Sequence, residues 1–508
     1  MVLQLVGGNS LIGNDFYESH LDLDDAALYK INCFDWEEEF KSIFKGGGFD
    51  VVIGNPPYVK IQTMMESSPL SVETLKQTYK SASSGNIDIY LCFVEKALQL
   101  LKPTGEMGYI LPHKFFEGDM GENLRNIIAS KKALKKVVYF GANQIFDNAT
   151  TYTCLLFLSG SERENFELFR FYKDENIEEA LQNAEFVELP ISLTNKEKWN
   201  FHSENILNIL NKLKSMPLKL EDLTRKIFVG IQTSADDIYI LHGGEENNGI
   251  VKTYSKSLDR EIEIERKFIK PFLLGKDAKR YETIIPSKWV IFPYKFVNGN
   301  AVLYTENEIK TQFPKAWEYL KENKKELESR ESGKFKNTWW QYGRTQNLNE
   351  FECKKISIPY MANKSQAIWD NDFTYHNTKL YSISFKENVK YNPYYILAII
   401  NSKLFYYYVA NTGTVFRGWF SVFTPNFIGS FPIKELDLDN KQDKEIHDKL
   451  VNLVDSIIDL NKKLSYEKNP NTIEMLNARI QAVDKAIDKI VYSLYNLTDE
   501  EIRVIEGE

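Results

Sequence analysis

The tetrapeptide Asn55-Pro56-Pro57-Tyr58 is the part of this chain best suited to chemistry. Two consecutive prolines lock two φ angles, remove two backbone donors and force Asn55 into an extended conformation. The Asn55 amide oxygen and the Pro56 carbonyl can then both point outward as fixed acceptors with no competing donor. Two such acceptors suit an exocyclic amino group, which offers two N–H bonds. Accepting both hydrogens draws the nitrogen lone pair out of conjugation with a purine ring and makes it nucleophilic, a case of preorganised electrostatic catalysis. Tyr58 supplies a stacking face. Four residues alone can also be a rigid exposed turn with a surface tyrosine.

Such a motif needs a strand to hold it. Phe49–Ile53 precedes it directly, after the turn Gly46-Gly47-Gly48, and its unbroken apolar run Val51, Val52, Ile53 predicts a strand covered on both faces. Ligand sites of α/β sheets lie beyond the carboxyl ends of such strands. Further strands are predicted over Ala27–Cys33, Glu106–Leu111, Lys136–Phe140 and Thr151–Leu158, with helices near Asp88–Leu101 and Glu122–Ser130. Residues 1–165 thus read as an α/β domain. Residues 166–200 are polar and acidic, with Pro190 inside, and read as a connector. From 201 to 435 the pattern is irregular, rich in Tyr, Phe and Trp, and predicts a second, α+β domain. Residues 436–508 carry two helical stretches, about 441–465 and 472–495, either side of Asn469-Pro470-Asn471, expected to pack as an antiparallel pair.

The run Phe49 to Tyr58 resembles the catalytic motif of N6-adenine DNA methyltransferases, and the flanking chain resembles their γ class, in order. The resemblance implies a Rossmann-like fold and S-adenosylmethionine as cofactor. It gives Asp35, in Phe34-Asp35-Trp36, the role of holding the cofactor's adenine amino group, with Trp36 beside that ring. It makes Phe93 an aromatic contact to the same adenine and Phe146, in Gln144-Ile145-Phe146-Asp147-Asn148, a second stacking surface for a flipped target base opposite Tyr58. Taken alone, Phe93 sits at helical spacing with Tyr90 and Ala97 as a core residue would, Phe146 could anchor a core, and Asp35 could be solvated charge beside Glu37, Glu38 and Glu39. An adenine must leave the duplex to reach a methyl donor, at a cost of a few kcal/mol. Stacking worth about 1–3 kcal/mol per base on Tyr58 and Phe146 could offset much of it. The chemistry needs neither a metal nor a covalent nucleophile.

Residues 201–435 resemble the target-recognition domain of Taq-type methyltransferases and of type IIG restriction-modification enzymes, through Gly230–Asp237, Leu274–Tyr281 and Asn401–Phe405. Charge agrees. The chain of 508 residues has a formal net charge of −8, but residues 201–435 hold 34 Lys and Arg against 26 Asp and Glu, whereas residues 1–200 hold 19 against 29. The expected phosphate-facing residues are Lys276, Lys279, Arg280 and Arg344, with Trp339, Trp340 and Tyr342 interleaved as aromatic surface or as a packed core edge. Double-stranded DNA is the expected partner.

Composition excludes other classes. With 43% hydrophobic and 26% charged residues the chain is of ordinary globular type, which excludes bulk disorder, collagen and long coiled coil. Four cysteines without a CxxC pair argue against a disulfide framework and a zinc module, and fit a reducing cytoplasm. No apolar run reaches the roughly 18 residues of a spanning segment, so no membrane association is expected.

Three departures from the family shape the expectations. No PD…(D/E)xK constellation is present, so cleavage by this chain is not expected. The family's glycine-rich cofactor loop and ribose-binding acid are not found; Gly7-Gly8 resembles the segment just before the Asp35 motif instead. The methyltransferase domain therefore reads as amino-terminally incomplete, with unpaired strand edges and an amino-terminal or nuclease-bearing partner polypeptide as its complement. The alternatives to an adenine-specific methyltransferase are a DNA-binding specificity subunit with a vestigial catalytic half and, more weakly, a methyltransferase of protein glutamine side chains.

Overall fold

The computed structural model describes residues 7–146, 151–171, 176–199, 201–202, 204–413, 415–416 and 420–507. They form two compact units, residues 7–202 and residues 204–507. Among the described residues no helix is long and apolar enough to cross a membrane.

The first unit is built on one six-stranded sheet of β1 (Phe49–Gly54), β2 (Leu101–Pro112), β3 (Leu134–Tyr139), β4 (Thr153–Ser159), β5 (Asn165–Arg170) and β6 (Val187–Pro190), in the order β1-β2-β4-β3-β5-β6. The β1–β2 and β3–β5 pairs are parallel and the others antiparallel. On β2, Met107, Tyr109 and Leu111 alternate into the core, the period-2 pattern of a strand with two different faces. The helix Tyr90–Leu100 covers the sheet with Tyr90, Leu91, Val94, Ala97 and Leu98, an apolar stripe at helical spacing.

Three sequence expectations are corrected here. Ala27–Cys33 is not a strand: Asp25–Ile31 is a helix, favoured by Asp25 in its first turn, Lys30 in its last and good helix formers between. The Val51–Ile53 run is not covered on both faces. Among the described residues β1 is an edge strand paired with β2 alone, and Val51 and Ile53 are 56% and 82% exposed. Residues 165–190 are more than a connector, since β5 and β6 extend the sheet and bury Phe166 and Leu168.

The second unit has a six-stranded sheet, in the order Arg260–Glu265, Ile250–Ser255, Ile240–Asn247, Lys288–Ile291, Ile269–Leu273, Tyr375–His376, and a four-stranded antiparallel one, in the order Ile368–Asp370, Lys355–Pro359, Leu380–Phe385, Thr224–Val229. The two long helices, Lys441–Tyr466 and Pro470–Leu494, pack on each other and are capped at their starts by Asn440 and Asn469. They are not a separate module. Leu450, Val454, Ile457, Ile487 and Val491 share one core with Ile356 and Ile383 of the four-stranded sheet and with Leu397 and Leu404.

Candidate functional site

Asn55 follows β1 at its carboxyl end, and the chain from 55 to 59 has no regular structure. Its entry is tight, because a Cβ on Gly54 would stand 2.9 Å from the Tyr109 ring. Pro56 is buried, Asn55 and Pro57 are exposed, and Tyr58 is half-buried. Two hydrogen bonds clamp the exit of the motif to the start of the Tyr90–Leu100 helix. Ile89 N donates to Val59 O and Ile61 N to Ile87 O, each at 2.9 Å, with a backbone bridge between Lys60 and Asp88. Asp88 is buried and ion-paired with Lys114.

Tyr58 is fixed at both ends. Its hydroxyl donates to Ile110 O of β2 at 3.1 Å, and its ring meets Tyr90 edge-on at 6.3 Å. Burial pushes the phenol up to about 12, so it stays a neutral donor at any working pH and leaves the ring face, not the hydroxyl, for a ligand. The Asn55 carboxamide and the Pro56 carbonyl have no hydrogen-bond partner among the described residues. The site therefore offers two unengaged acceptors on a rigid turn beside a held aromatic ring.

The other side chains expected here are placed as follows. Asp35 caps the short helix Trp36–Glu39, its Oδ1 accepting from Glu37 N and Glu38 N at 2.9 Å each. Its Oδ2 has no partner among the described residues. Trp36 donates from Nε1 to Ser10 O at 2.9 Å and stacks on Phe40, so its position is set by aromatic packing. Phe93 is half-buried against the core. Lys96, one turn further along that helix, has its pKa lowered by burial, against the opposing charge of Asp35. Phe146 is half-buried in the loop after β3, where Gln144 Nε2 donates to Phe146 O at 2.7 Å; Asp147 and Asn148 lie outside the described residues.

Three supporting residues were not singled out from sequence. Asp88 and Lys114 tie the motif's exit to the segment after β2. His113, just past β2, donates from Nε2 to Gly141 O at 3.3 Å and so joins that segment to the loop carrying Phe146. Burial pushes its imidazole down to about 4, which keeps it neutral. Only the position of Asp88, just ahead of an apolar helix, is visible as a sequence signal.

In the second unit the expected phosphate-facing residues separate. Lys276 is exposed on the single turn Gly275–Asp277. A Cβ on Gly275 would meet the Lys379 Cβ at 2.7 Å, so the exposed Lys379, missed in the sequence, stands beside it. Lys279 is exposed and 3.6 Å from Glu282. Arg280 faces the interior. It pairs with Asp484 of the Pro470–Leu494 helix through Nε and Nη2 and donates from Nη1 to Asn401 O and Ser365 O, so its charge is spent on packing and it is withdrawn as a phosphate contact. Trp339, Trp340 and Tyr342 are core residues. Arg344 is exposed, with Glu331 at 2.7 Å.

Comparison with known proteins follows the same division. Residues 4–146 match the family model of the Eco57I restriction-modification methylase, and residues 270–433 that of the TaqI-like C-terminal specificity domain. The type II restriction enzyme and methyltransferase RM.Eco57I of Escherichia coli is 32% identical over 470 residues, covering 88% of this chain and 45% of that protein. The type II methyltransferase M.HindII of Haemophilus influenzae is 24% identical over 451 residues, covering 85% of this chain and 84% of that one. The solved type IIL restriction-modification enzyme MmeI, in complex with DNA, shares the fold with a TM-score of 0.58 at 12% identity, over 93% of this chain and 58% of that one. This chain thus spans less than half the length of the Escherichia coli relative.

Proposed function

We propose that this chain, whose residues 4–146 match the Eco57I restriction-modification methylase and 270–433 the TaqI-like C-terminal specificity domain, is a type IIG-like DNA methyltransferase that methylates N6 of an adenine extruded from duplex DNA. The observation that carries the reading is the pair of unengaged acceptors, Asn55 Oδ1 and Pro56 O, beside the fixed ring of Tyr58. The two acceptors take the two amino hydrogens and free the nitrogen lone pair for attack. Tyr58 stacks on one face of the base, and Phe146 on the other.

The cofactor of this reading is S-adenosylmethionine, and the residues present fit its adenine end. Asp35 retains a free carboxylate oxygen as acceptor for an amino group, and Phe93 offers a half-exposed ring. When bound, the cofactor supplies a methyl on a sulfonium that is already activated. Alignment is what the chain's own residues contribute. A second reading is favoured by the position of β1 at the sheet edge, with Val51 and Ile53 exposed on one of its faces: a further strand, from a partner polypeptide or from elsewhere in the same one, pairs with that edge and completes the site.

Asn55→Ala tests the first reading. Methyl incorporation into DNA is expected to be lost while duplex affinity stays within a few-fold, since the acceptor acts on the reacting amino group. Retained transfer would remove Asn55 from catalysis.

A further inference from the structure

Three loops of the second unit meet in a way the sequence does not show. Gln232 and Arg344 are bridged as antiparallel neighbours, with Arg344 N donating to Gln232 O at 3.1 Å and Gly343 N to Thr233 O at 3.0 Å. Directly opposed residues project to the same face with Cβ atoms about 5 Å apart. Both side chains are exposed. The approach depends on glycine, since a Cβ on Gly343 would stand 1.9 Å from Ser234 Oγ. Beneath it, the buried Arg330 donates from Nη1 to Thr233 O at 2.8 Å and from Nη2 to Trp339 O and Gln341 O at 2.7 and 2.9 Å, stitching the two loops together.

The residues after Arg330 are strained. Glu331 and Ser332 both adopt left-handed backbone, with φ of 47° and 59°, a conformation L side chains resist and one that concentrates at functional sites. Its result is the placement of the Glu331 carboxylate. Oε1 and Oε2 accept from Arg344 Nη1 at 2.7 and 2.9 Å, and Oε1 also accepts from Ser234 Oγ at 3.3 Å. Gly343 O takes a further bond from Arg344 Nη1 at 2.8 Å. One nitrogen of the guanidinium is thus saturated and its plane fixed, while Nε and Nη2 have no partner among the described residues. That free edge is a two-pronged donor.

We propose that Arg344 reads a guanine in the major groove through Nε and Nη2, that Glu331 is the positioning residue that aims it, and that Gln232 contacts the neighbouring base pair. A paired donor edge matches guanine O6 and N7, the commonest specific contact of arginine, and the Gln232 carboxamide carries the donor and acceptor that match adenine. The spacing of the two side chains suits adjacent base steps. The inference rests on the reading of this chain as a DNA methyltransferase and adds to it the residues that choose the site.

The test uses the full chain and a pool of randomised DNA duplexes, sequencing what is bound by the parent and by the variants Arg344→Lys, Arg344→Ala, Glu331→Gln and Gln232→Ala. The parent is expected to enrich one motif with a required G·C pair. Arg344→Lys keeps the charge but cannot fork, so it should retain overall affinity and lose preference at that one position by about 5- to 150-fold. Glu331→Gln should weaken the same position, and Gln232→Ala the adjacent one. An unchanged motif in Arg344→Lys and Arg344→Ala, or a uniform weakening across all sequences, overturns the assignment while leaving the methyltransferase reading intact. Failure of the parent to enrich any motif overturns both.

Discussion

At the scale of single residues, burial decides what a charged side chain does. Asp488, on the helix Pro470–Leu494, is buried and accepts from Lys403 N at 2.9 Å, with Arg280 and Asp484 nearby. Loss of water pushes its carboxyl up to about 6, above the roughly 3.9 of an unfolded aspartate. The native state therefore binds this proton more tightly than the unfolded one. The resulting stability is present below about pH 4 and is lost as pH rises through 6. Asp488→Asn keeps the acceptor and removes the charge. Denaturant unfolding should find it indistinguishable from the parent at pH 4 and more stable at pH 8 by on the order of 2–3 kcal/mol; equal stability at both pH values would contradict the account. Arg280 shows the same rule from the other side, an apparently ordinary basic residue whose partners are Asp484 and two carbonyls.

At the scale of elements, the strands of the second unit carry a buried ion pair. Lys355 and Asp370 lie opposite each other on neighbouring strands, Nζ to Oδ2 at 2.7 Å, both fully buried, with Asp370 also accepting from Asp372 N and Thr374 N. Lys355→Met strands an unpaired carboxylate in the core, and the expected loss is about 3–5 kcal/mol in urea unfolding. Adding Asp370→Asn removes the orphaned charge while preserving its acceptor for the two amides, so the double variant should recover part of the loss. A double variant no better than Lys355→Met alone would show that the pair's charge is not what the single change exposes. At β1 the element itself was legible, since apolar β-branched residues after Gly46-Gly47-Gly48 specify a strand, but the exposure of Val51 and Ile53 on one of its faces was not. An apolar run specifies a strand, whereas what covers each of its faces is set by the elements the fold brings beside it.

At the scale of the whole molecule, the acidic chain conceals a basic middle, and the fold sorts its cations into used and unused. Lys276 and Lys379 stand exposed beside each other, whereas Arg280 and Lys355 are sealed inside. DNA affinity of the full chain should fall steeply with salt as counterions are released, the logarithmic slope measuring the number of phosphates engaged. Lys276→Ala and Lys379→Ala should each make that slope shallower by about 1 and weaken all sequences alike. A salt-independent affinity would remove DNA recognition from this unit.

Local features were written in the sequence: the rigid Asn55-Pro56-Pro57-Tyr58 turn at a strand end, the helix Glu122–Ser130, the helix breaks at Asn469-Pro470, and the charge difference between segments. Each depends on a few neighbouring residues or on a count. What only the tertiary structure decided joins residues far apart in the chain. β5 and β6 joined the first sheet instead of connecting two domains. Trp339 and Trp340 became core, the closing helices merged with the second unit's interior, and Gln232 came to lie beside Arg344. Backbone propensity acts over one or two turns of chain. Burial, pairing and the fate of a charge are set by whatever the folded chain brings within a few ångströms, which no local pattern encodes.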